Sequence, residues 1–285
     1  MLFGKWILYA TGVAALAAAP PQRIISTTPS ITEMLYGLGA GNRVVGVTDY
    51  CHFPAEAAKK PHIGTYMQPN MEVIAALKPD LVVVEKNPQR ITERLTALKL
   101  HVVEIDNTSV AHILESIHTL GEAIGAHDEA AQLRKRLEDD LASLRQRTSK
   151  LPKRSLMFVV SRSAHALEGI MVAGRASYLN ELITAAGGVN AFADAPGSYP
   201  KIGLEQVVAR SPDVIVDMGE MADTTGVTEA QKQSVEGLWK KAPSIKAVST
   251  GHVFAVANDI FVVPGPRMID AIREFARMLH PEVRW

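Results

Sequence analysis

The chain has 285 residues, of which 47% are hydrophobic, and this length allows one large domain or two smaller ones with substantial cores. Basic and acidic residues are balanced at 30 each, so the composition shows no bulk positive charge for binding nucleic acid or an anionic membrane surface. Cys51 is the only cysteine, which excludes an internal disulfide and leaves the fold to be held by its hydrophobic cores.

The N-terminal segment has the three-part pattern of a secretory signal peptide. Lys5 precedes the apolar stretch WILYATGVAALAAA (Trp6–Ala19), which ends in small residues at alternate positions and is short for a membrane span. We therefore predict a cleavable signal peptide over residues 1–19 and an exported mature protein. Cleavage after Ala17 is favoured because Pro20 disfavours a cut directly before it. An uncleaved anchor is the alternative.

The segment that follows alternates between strand and helix patterns. The run RIIST (Arg23–Thr27) predicts a strand. The next helix is expected to begin at Ser30, with Glu33 completing a capping box, and to end at Gly37 and Gly39. Further β-branched runs predict strands at Arg43–Val47 and His101–Ile105.

A long segment without Gly or Pro separates the two halves of the chain. From Asp128 to about Arg147, leucines recur at helical spacing with charges on the other face. Acidic residues open this segment and basic ones close it, which matches the helix dipole. The pattern predicts one stiff α-helix over residues 126–150, joining a first lobe at 20–125 to a second lobe at 151–285.

The second half repeats the organisation of the first. The runs SLMFVV (Ser155–Val160) and HVFAVA (His252–Ala257) predict strands, and SYLNELITAAGG predicts a helix that ends at Gly187 and Gly188. Strands that alternate with helices indicate α/β units. We therefore predict an α/β fold of two lobes, each with a mostly parallel sheet flanked by helices, joined by the long helix.

One helix–strand unit occurs twice. MEVIAALKPDLVVV (71–84) and LEQVVARSPDVIVD (204–217) each carry a Glu, Glu72 or Glu205, that is followed seven residues later by Pro-Asp and then by a β-branched run. Each copy predicts a helix, a break at the proline and a strand buried on both faces. The duplication indicates two related lobes with a cleft between them, which is a common place for a ligand.

Candidate ligand contacts follow the predicted strands, because the ligand crevice of an open parallel sheet lies at the carboxyl ends of its strands. These candidates are Tyr50, Tyr66, Arg162, Tyr199, Asp259 and Phe261. Tyrosine offers both a flat apolar face and a hydroxyl. Arg162 is a candidate partner for phosphate or carboxylate, and a solvated loop charge is the alternative for it.

The whole pattern resembles the periplasmic substrate-binding proteins of ABC importers, in the class whose lobes are joined by a helical backbone. The blocks RIISTTPSITEMLYGLG, VVGVTDYCHFP, NMEVIAALKPDLVV and LEQVVARSPDVIV carry the resemblance, which spans the chain from Arg23 onward. This class serves vitamin B12, haem, iron–siderophores and some transition metals. The blocks are most similar to those members that bind vitamin B12.

The resemblance implies a monomeric periplasmic protein that captures cobalamin between its lobes and delivers it to an ABC permease dimer in the inner membrane. In this family one Glu of each lobe pairs with Arg on a permease subunit, which implies docking through Glu72 and Glu205. The alternative is that both carboxylates only favour the helix dipole.

The ligand remains open between cobalamin, haem and a ferric siderophore. In the relatives that bind vitamin B12, loop aromatics pack on the corrin, and Tyr66 and Tyr199 stand where Trp is expected. Tyrosine is also an axial ligand of haem iron, which makes Tyr50 a third candidate for that role, with Arg162 near the propionates. A ferric siderophore calls for several basic groups, and few are visible.

No cofactor or metal site is predicted for the protein itself. The histidines lack the spacing of paired metal ligands. The sequence also contains no P-loop, nucleophile elbow or G-x-G-x-x-G fingerprint. A cofactor-dependent enzyme of a related two-lobed α/β fold is therefore the distant alternative.

Overall fold

The computed structural model describes residues 19–86, 91–219 and 226–285. The predicted signal peptide, apart from Ala19, lies outside these ranges. Two β-sheets follow one another along the described chain, with one long helix between them.

The first sheet lies N-terminal to the long helix. Its strands are β1 (Ile24–Ser26), β2 (Val44–Gly46), β3 (Leu81–Glu85) and β4 (Val102–Ile105). Its helices are α1 (Pro29–Gly37), α2 (Met71–Ala76), α3 (Ile91–Ala97) and α4 (Val110–Ile124). The described strands pair in the order β2-β1-β3-β4, all parallel. The aliphatic side chains of β3 are buried, as expected for a central strand that is covered on both faces.

The second sheet lies C-terminal to the long helix. Its strands are β5 (Ser155–Ser161), β6 (Ile170–Val172), β7 (Val189–Asn190), β8 (Lys201–Ile202), β9 (Val214–Asp217) and β10 (Val253–Ala255). Its helices are α6 (Tyr178–Ala185), α7 (Leu204–Arg210), α8 (Glu229–Trp239), α9 (Lys246–Ser249) and α10 (Met268–Leu279). The order is β10-β9-β5-β6-β8, with β7 also paired to β5. β6 runs antiparallel to β5 and β8, so this sheet is mixed, while β10, β9, β5 and β7 are parallel.

The long helix, α5 (His127–Thr148), confirms the helix that the leucine spacing predicts. Leu133, Leu137, Leu141 and Leu144 are buried on one face. That face packs against α4, α6 and α10, which belong to both lobes. Among the described helices, none has the length and apolar character that crossing a bilayer requires.

One hydrophobic core runs through both lobes. Ile24 of β1, Leu137 of α5, Phe158 of β5 and Phe275 of α10 all belong to the same buried cluster. A rotation of one lobe against the other would therefore have to open apolar contacts that are now excluded from water. We infer that the fold opposes large hinge motions.

The structure explains the repeated Pro-Asp pair. Asp80 accepts hydrogen bonds from the backbone N–H groups of Gln22 and Arg23, at 2.7 and 2.8 Å. Asp213 accepts equivalent bonds from the N–H and the hydroxyl of Ser155, at 2.7 and 2.9 Å. Each aspartate thus fixes the start of the neighbouring strand, β1 or β5. In both lobes, the aspartate of the repeated Pro-Asp pair thus ties its own strand to the start of the neighbouring strand. We call this contact the strand clamp.

The expected Ser30–Glu33 capping box is wrong. The N-cap of α1 is Thr28, whose hydroxyl accepts a hydrogen bond from the N–H of Ile31. Pro29 then occupies the first helical position, where its missing N–H costs nothing. Glu33 is buried instead of capping the helix, because it pairs with Arg267 of the second lobe.

Candidate functional site

A cavity of about 610 Å³ is lined by residues of both lobes. Its described lining consists of residues 28–30, 50, 65–67, 85, 107–108, 176–178, 198–199, 259 and 262–264. The first-lobe part follows the carboxyl ends of β1, β3 and β4, where a ligand is expected in an open parallel sheet. The volume lies in the range of small-molecule sites.

All three tyrosines that were predicted as ligand contacts line this cavity. Tyr50 and Tyr199 are 57% and 43% exposed, and Tyr66 is half-buried. Burial, followed by the nearby carboxylate of Glu85, raises the pKa of Tyr66. The same two causes raise the pKa of Tyr199, against a hydrogen bond with Ser177. All three rings are thus available to a ligand, and the phenol form is favoured for Tyr66 and Tyr199.

Tyr178, which was not among the predicted contacts, also lines the cavity. Its ring is buried, and its hydroxyl donates a hydrogen bond to the backbone carbonyl of Phe261. Tyr178 is the first residue of α6 and does not follow a predicted strand. Its place in the cavity wall depends on how α6 packs against the second sheet.

A polar cluster forms the first-lobe wall. Ser30 donates a hydrogen bond to Glu85, at 3.1 Å, and accepts one from the side-chain amide of Asn107, at 3.2 Å. Burial raises the pKa of Glu85, although hydrogen bonds from Ser30 and Thr28 oppose this rise. Glu85 and Asn107 were not among the predicted contacts, even though Glu85 ends β3 and Asn107 follows β4.

Asp259, another predicted contact, lies in the second-lobe wall and is held by Arg267 at 2.8 Å. Arg267 also pairs with Glu33 of α1, so the three side chains form an ion cluster that joins the lobes. Burial raises the pKa of Glu33 to about 7, which the hydrogen bond from Arg267 only partly offsets. Arg267 further lies over the ring of Phe53, 4.1 Å from its centroid. Asp259 is therefore a fixed feature of the cavity wall.

Two predicted contacts lie outside the cavity. Phe261 is only 2% exposed and packs on Phe158 and Phe275, with ring centroids 5.7 and 5.1 Å away. The 3-10 turn at Asp259–Phe261 points Asp259 to the cavity and Phe261 to the core.

Arg162 is the second predicted contact that the structure places elsewhere. Its guanidinium is fully buried and pairs with Asp217 at 2.8 Å. Asp217 also accepts a hydrogen bond from the indole of Trp239, at 2.7 Å. The charge of Arg162, which was expected to contact a ligand, is therefore paired with Asp217 inside the second lobe.

Glu72 and Glu205 occupy equivalent exposed positions in the first turns of α2 and α7. Each helix leads directly into the amino end of its strand, β3 or β9, and runs back along the sheet. Its first turn therefore lies toward the carboxyl ends of the strands, the edge that also holds the cavity. The two carboxylates are carried on the cavity side of both lobes.

Cys51 does not contribute a reactive thiol to the site. It is 2% exposed, and its sulfur lies 3.1 Å from the hydroxyls of Thr32 and Thr48. Burial raises its pKa. Within residues 19–86, 91–219 and 226–285, no group of three or more His, Cys, Asp or Glu side chains is placed to hold a metal ion.

Comparison with known proteins gives one family. The model of the family described as periplasmic binding protein matches residues 24–259. The vitamin B12-binding protein of Yersinia pestis (strain Pestoides F) is 30% identical over 272 residues, which cover 93% of this chain and 88% of that protein.

Two further relatives agree with this family. An uncharacterized ABC transporter substrate-binding lipoprotein of Bacillus subtilis (strain 168), YvrC, is 32% identical over 270 residues and covers 92% of this chain and 81% of its own length. The crystal structure of the periplasmic vitamin B12-binding protein BtuF of Vibrio cholerae matches with a TM-score of 0.77 and 25% identity. That match covers 92% of this chain and 98% of the other.

Proposed function

Because this chain belongs to the periplasmic binding protein family, we propose that it captures cobalamin between its lobes and delivers it to an ABC permease in the inner membrane. The observation that carries the proposal is the composition of the cavity wall. Tyrosine rings and hydrogen-bond acceptors line it, and among the described lining residues there is no Lys, Arg or His.

A corrin suits this wall. It is a flat ring system whose rim carries carboxamide groups, so it requires both apolar faces and hydrogen-bond acceptors. Tyr50, Tyr66 and Tyr199 supply the faces, while Glu85 and Asp259 supply carboxylate acceptors. Tyr50 and Met67 also line the cavity and are 57% and 55% exposed, which leaves room for a ring larger than the cavity to extend past them.

The charge of the same wall disfavours the anionic alternatives. Haem presents propionates and many ferric siderophores carry net negative charge, so both gain from basic side chains at the site. Here the ionisable acids that line the described wall are Glu85 and Asp259, and Arg162 is used elsewhere. Like charges facing one another in a partly desolvated cavity are costly.

Delivery uses Glu72 and Glu205 in this proposal. Two matching carboxylates, one on each lobe and both on the cavity side, suit a permease built of two related subunits with basic contacts. The protein then acts as an exported monomer, directed by the signal peptide at residues 1–19, and performs capture, docking and release without a chemical reaction.

Haem is the second candidate, and the cavity tyrosines Tyr50, Tyr66 and Tyr199 are the observation that favours it. A tyrosinate is an established axial ligand of haem iron. The raised pKa of Tyr66 and Tyr199 opposes this, because their neutral phenol form is stabilised in the free protein.

The test is a titration of the purified protein, from Ala18 onward, with cyanocobalamin and separately with hemin, followed by heat and by the visible spectrum. We expect saturable binding of cyanocobalamin and no specific hemin spectrum. A tyrosinate-type hemin spectrum without cyanocobalamin binding would move the assignment to haem uptake. Binding of neither compound would refute both assignments and favour a siderophore. Turnover of a bound cofactor would instead indicate the enzyme alternative.

A further inference from the structure

The polar cluster in the first-lobe wall is built by three adjacent strands. Ser30 follows β1, Glu85 ends β3 and Asn107 follows β4, and these strands are neighbours in the order β1-β3-β4. Parallel pairing therefore brings the three side chains into one row at the cavity edge. The sheet, which is rigid, fixes their spacing.

The hydrogen bonds of this row orient the amide of Asn107. Ser30 has a single hydroxyl proton, and it donates that proton to Glu85. The contact between Ser30 and Asn107 must then be donated by the amide nitrogen, Nδ2. The amide oxygen, Oδ1, consequently points away from Ser30 as an acceptor.

That oxygen lacks a hydrogen-bond partner within the described structure. Asn107 is 2% exposed and lines the cavity, and its Oδ1 is among the buried polar atoms with no partner. A buried acceptor without a donor is unfavourable. A ligand that brings a donor to it recovers this loss. The site therefore favours a ligand group that has N–H bonds.

We infer that Glu85 and Asn107 form a donor-selecting subsite that binds a primary carboxamide of the ligand and rejects a carboxylate in the same place. A primary amide has two N–H bonds, one for the Glu85 carboxylate and one for Asn107 Oδ1. A carboxylate has none and would face Glu85 as a like charge. The inference rests on the proposed function, since it identifies the ligand group that this cavity recognises.

The test uses cyanocobalamin and its monocarboxylic acids, in each of which one rim carboxamide is hydrolysed to a carboxylate. The wild-type protein should bind one of these acids at least tenfold more weakly than cyanocobalamin, and Glu85→Gln should restore much of that loss. For cyanocobalamin itself, Glu85→Gln and Asn107→Leu should each weaken binding about tenfold. Glu104→Gln is the matched control, because Glu104 lies on β4 outside the cavity lining.

The outcomes separate this inference from the proposed function. If cyanocobalamin binds the wild type and both variants equally, the subsite is wrong and the proposed function stands. If cyanocobalamin does not bind at all, the proposed function is wrong. Hemin, which carries two carboxylates, then replaces it as the probe. A higher hemin affinity in Glu85→Gln supports the rejection of carboxylates, and an equal affinity overturns it.

A measurement without ligand completes the test. Asn107→Leu removes the unpartnered Oδ1 and also the hydrogen bond that Nδ2 donates to Ser30, so the unfolding temperature of the free protein should change little. A markedly lower unfolding temperature would show that Asn107 serves the fold, and this result would overturn the inference whichever ligand binds.

Discussion

The buried carboxyl of Glu33 predicts a specific pH dependence of stability. Glu33 is 5% exposed, and its pKa is raised from 4.5 to about 7 by burial, with repulsion from Asp259 adding to this and Arg267 opposing it. The folded protein therefore holds a proton on Glu33 more tightly than the unfolded chain does. Between pH 4.5 and about 7 the folded state binds more protons, so the free energy of unfolding falls as the pH rises.

The size of this effect follows from the two pKa values. Each pKa unit corresponds to about 1.4 kcal/mol, so the change from 4.5 to about 7 corresponds to about 3 kcal/mol. The contribution is complete below pH 4.5 and is lost as the pH rises through 7. Replacing Glu33 with Gln removes the titrating group and leaves Arg267 its contact with Asp259.

The assay is urea unfolding of the wild type and of Glu33→Gln at several values between pH 4.5 and 8. The wild type should lose about 3 kcal/mol relative to the variant across this range. Titrating groups that do not interact with Glu33 contribute equally to both proteins and cancel in the difference. Glu236→Gln, which removes an exposed carboxylate of α8, is the control and should show no such change. A difference between wild type and Glu33→Gln that is independent of pH would refute the reasoning.

Three other predictions follow from the site and the repeat. Tyr66→Ala should weaken cyanocobalamin binding about tenfold in calorimetry, because a half-buried ring leaves the cavity wall. Reversing both Glu72 and Glu205 to Lys should abolish uptake in a transport assay while affinity stays within twofold. Asp213→Ala should lower the free energy of unfolding by about 2 kcal/mol, because it loses hydrogen bonds to a charged carboxylate. Asp80→Ala loses similar bonds but should cost only about 1 kcal/mol, because Asp80 is more exposed to solvent.

Each of these predictions has a control and a contradicting result. Tyr66→Phe keeps the ring and should keep most of the affinity, and equal affinity of Tyr66→Ala would remove Tyr66 from the site. Glu236→Lys reverses one exposed charge outside the cavity lining and should leave transport intact. Persistent uptake in the double variant would show that docking does not use the two carboxylates. Full stability of Asp213→Ala would show that the strand clamp on β5 is dispensable.

Several elements of this fold could be predicted because their causes are local. The leucines of α5 repeat at helical spacing, and the structure places them on one buried face. The Asn70 cap of α2 is also local, because its side chain accepts from N–H groups two and three residues ahead. The strand-end rule selected Tyr50, after β2, and Asp259, after β10, and both line the cavity. Tyr199 lines the same cavity from a loop that precedes β8, so the rule does not account for its place.

The same rule could not tell which side chains at the strand ends turn inward. Phe261 lies two residues after Asp259, and a single 3-10 turn sends one to the cavity and the other to the aromatic core. The direction of the Arg162 side chain was equally ambiguous, because its buried partner, Asp217, lies 55 residues further along the chain.

Local sequence patterns account for most of the strands and helices, for the repeated helix–strand unit and for the helix that joins the lobes. The pairing of Glu33 with Arg267, in place of the expected capping box, follows only from the folded structure, because the two residues are 234 apart in the chain. The same holds for Asn107, whose amide is oriented by Ser30, 77 residues away along the chain. Helix periods and caps act over a few residues, whereas the partner of a buried charge or amide depends on which distant strands become neighbours.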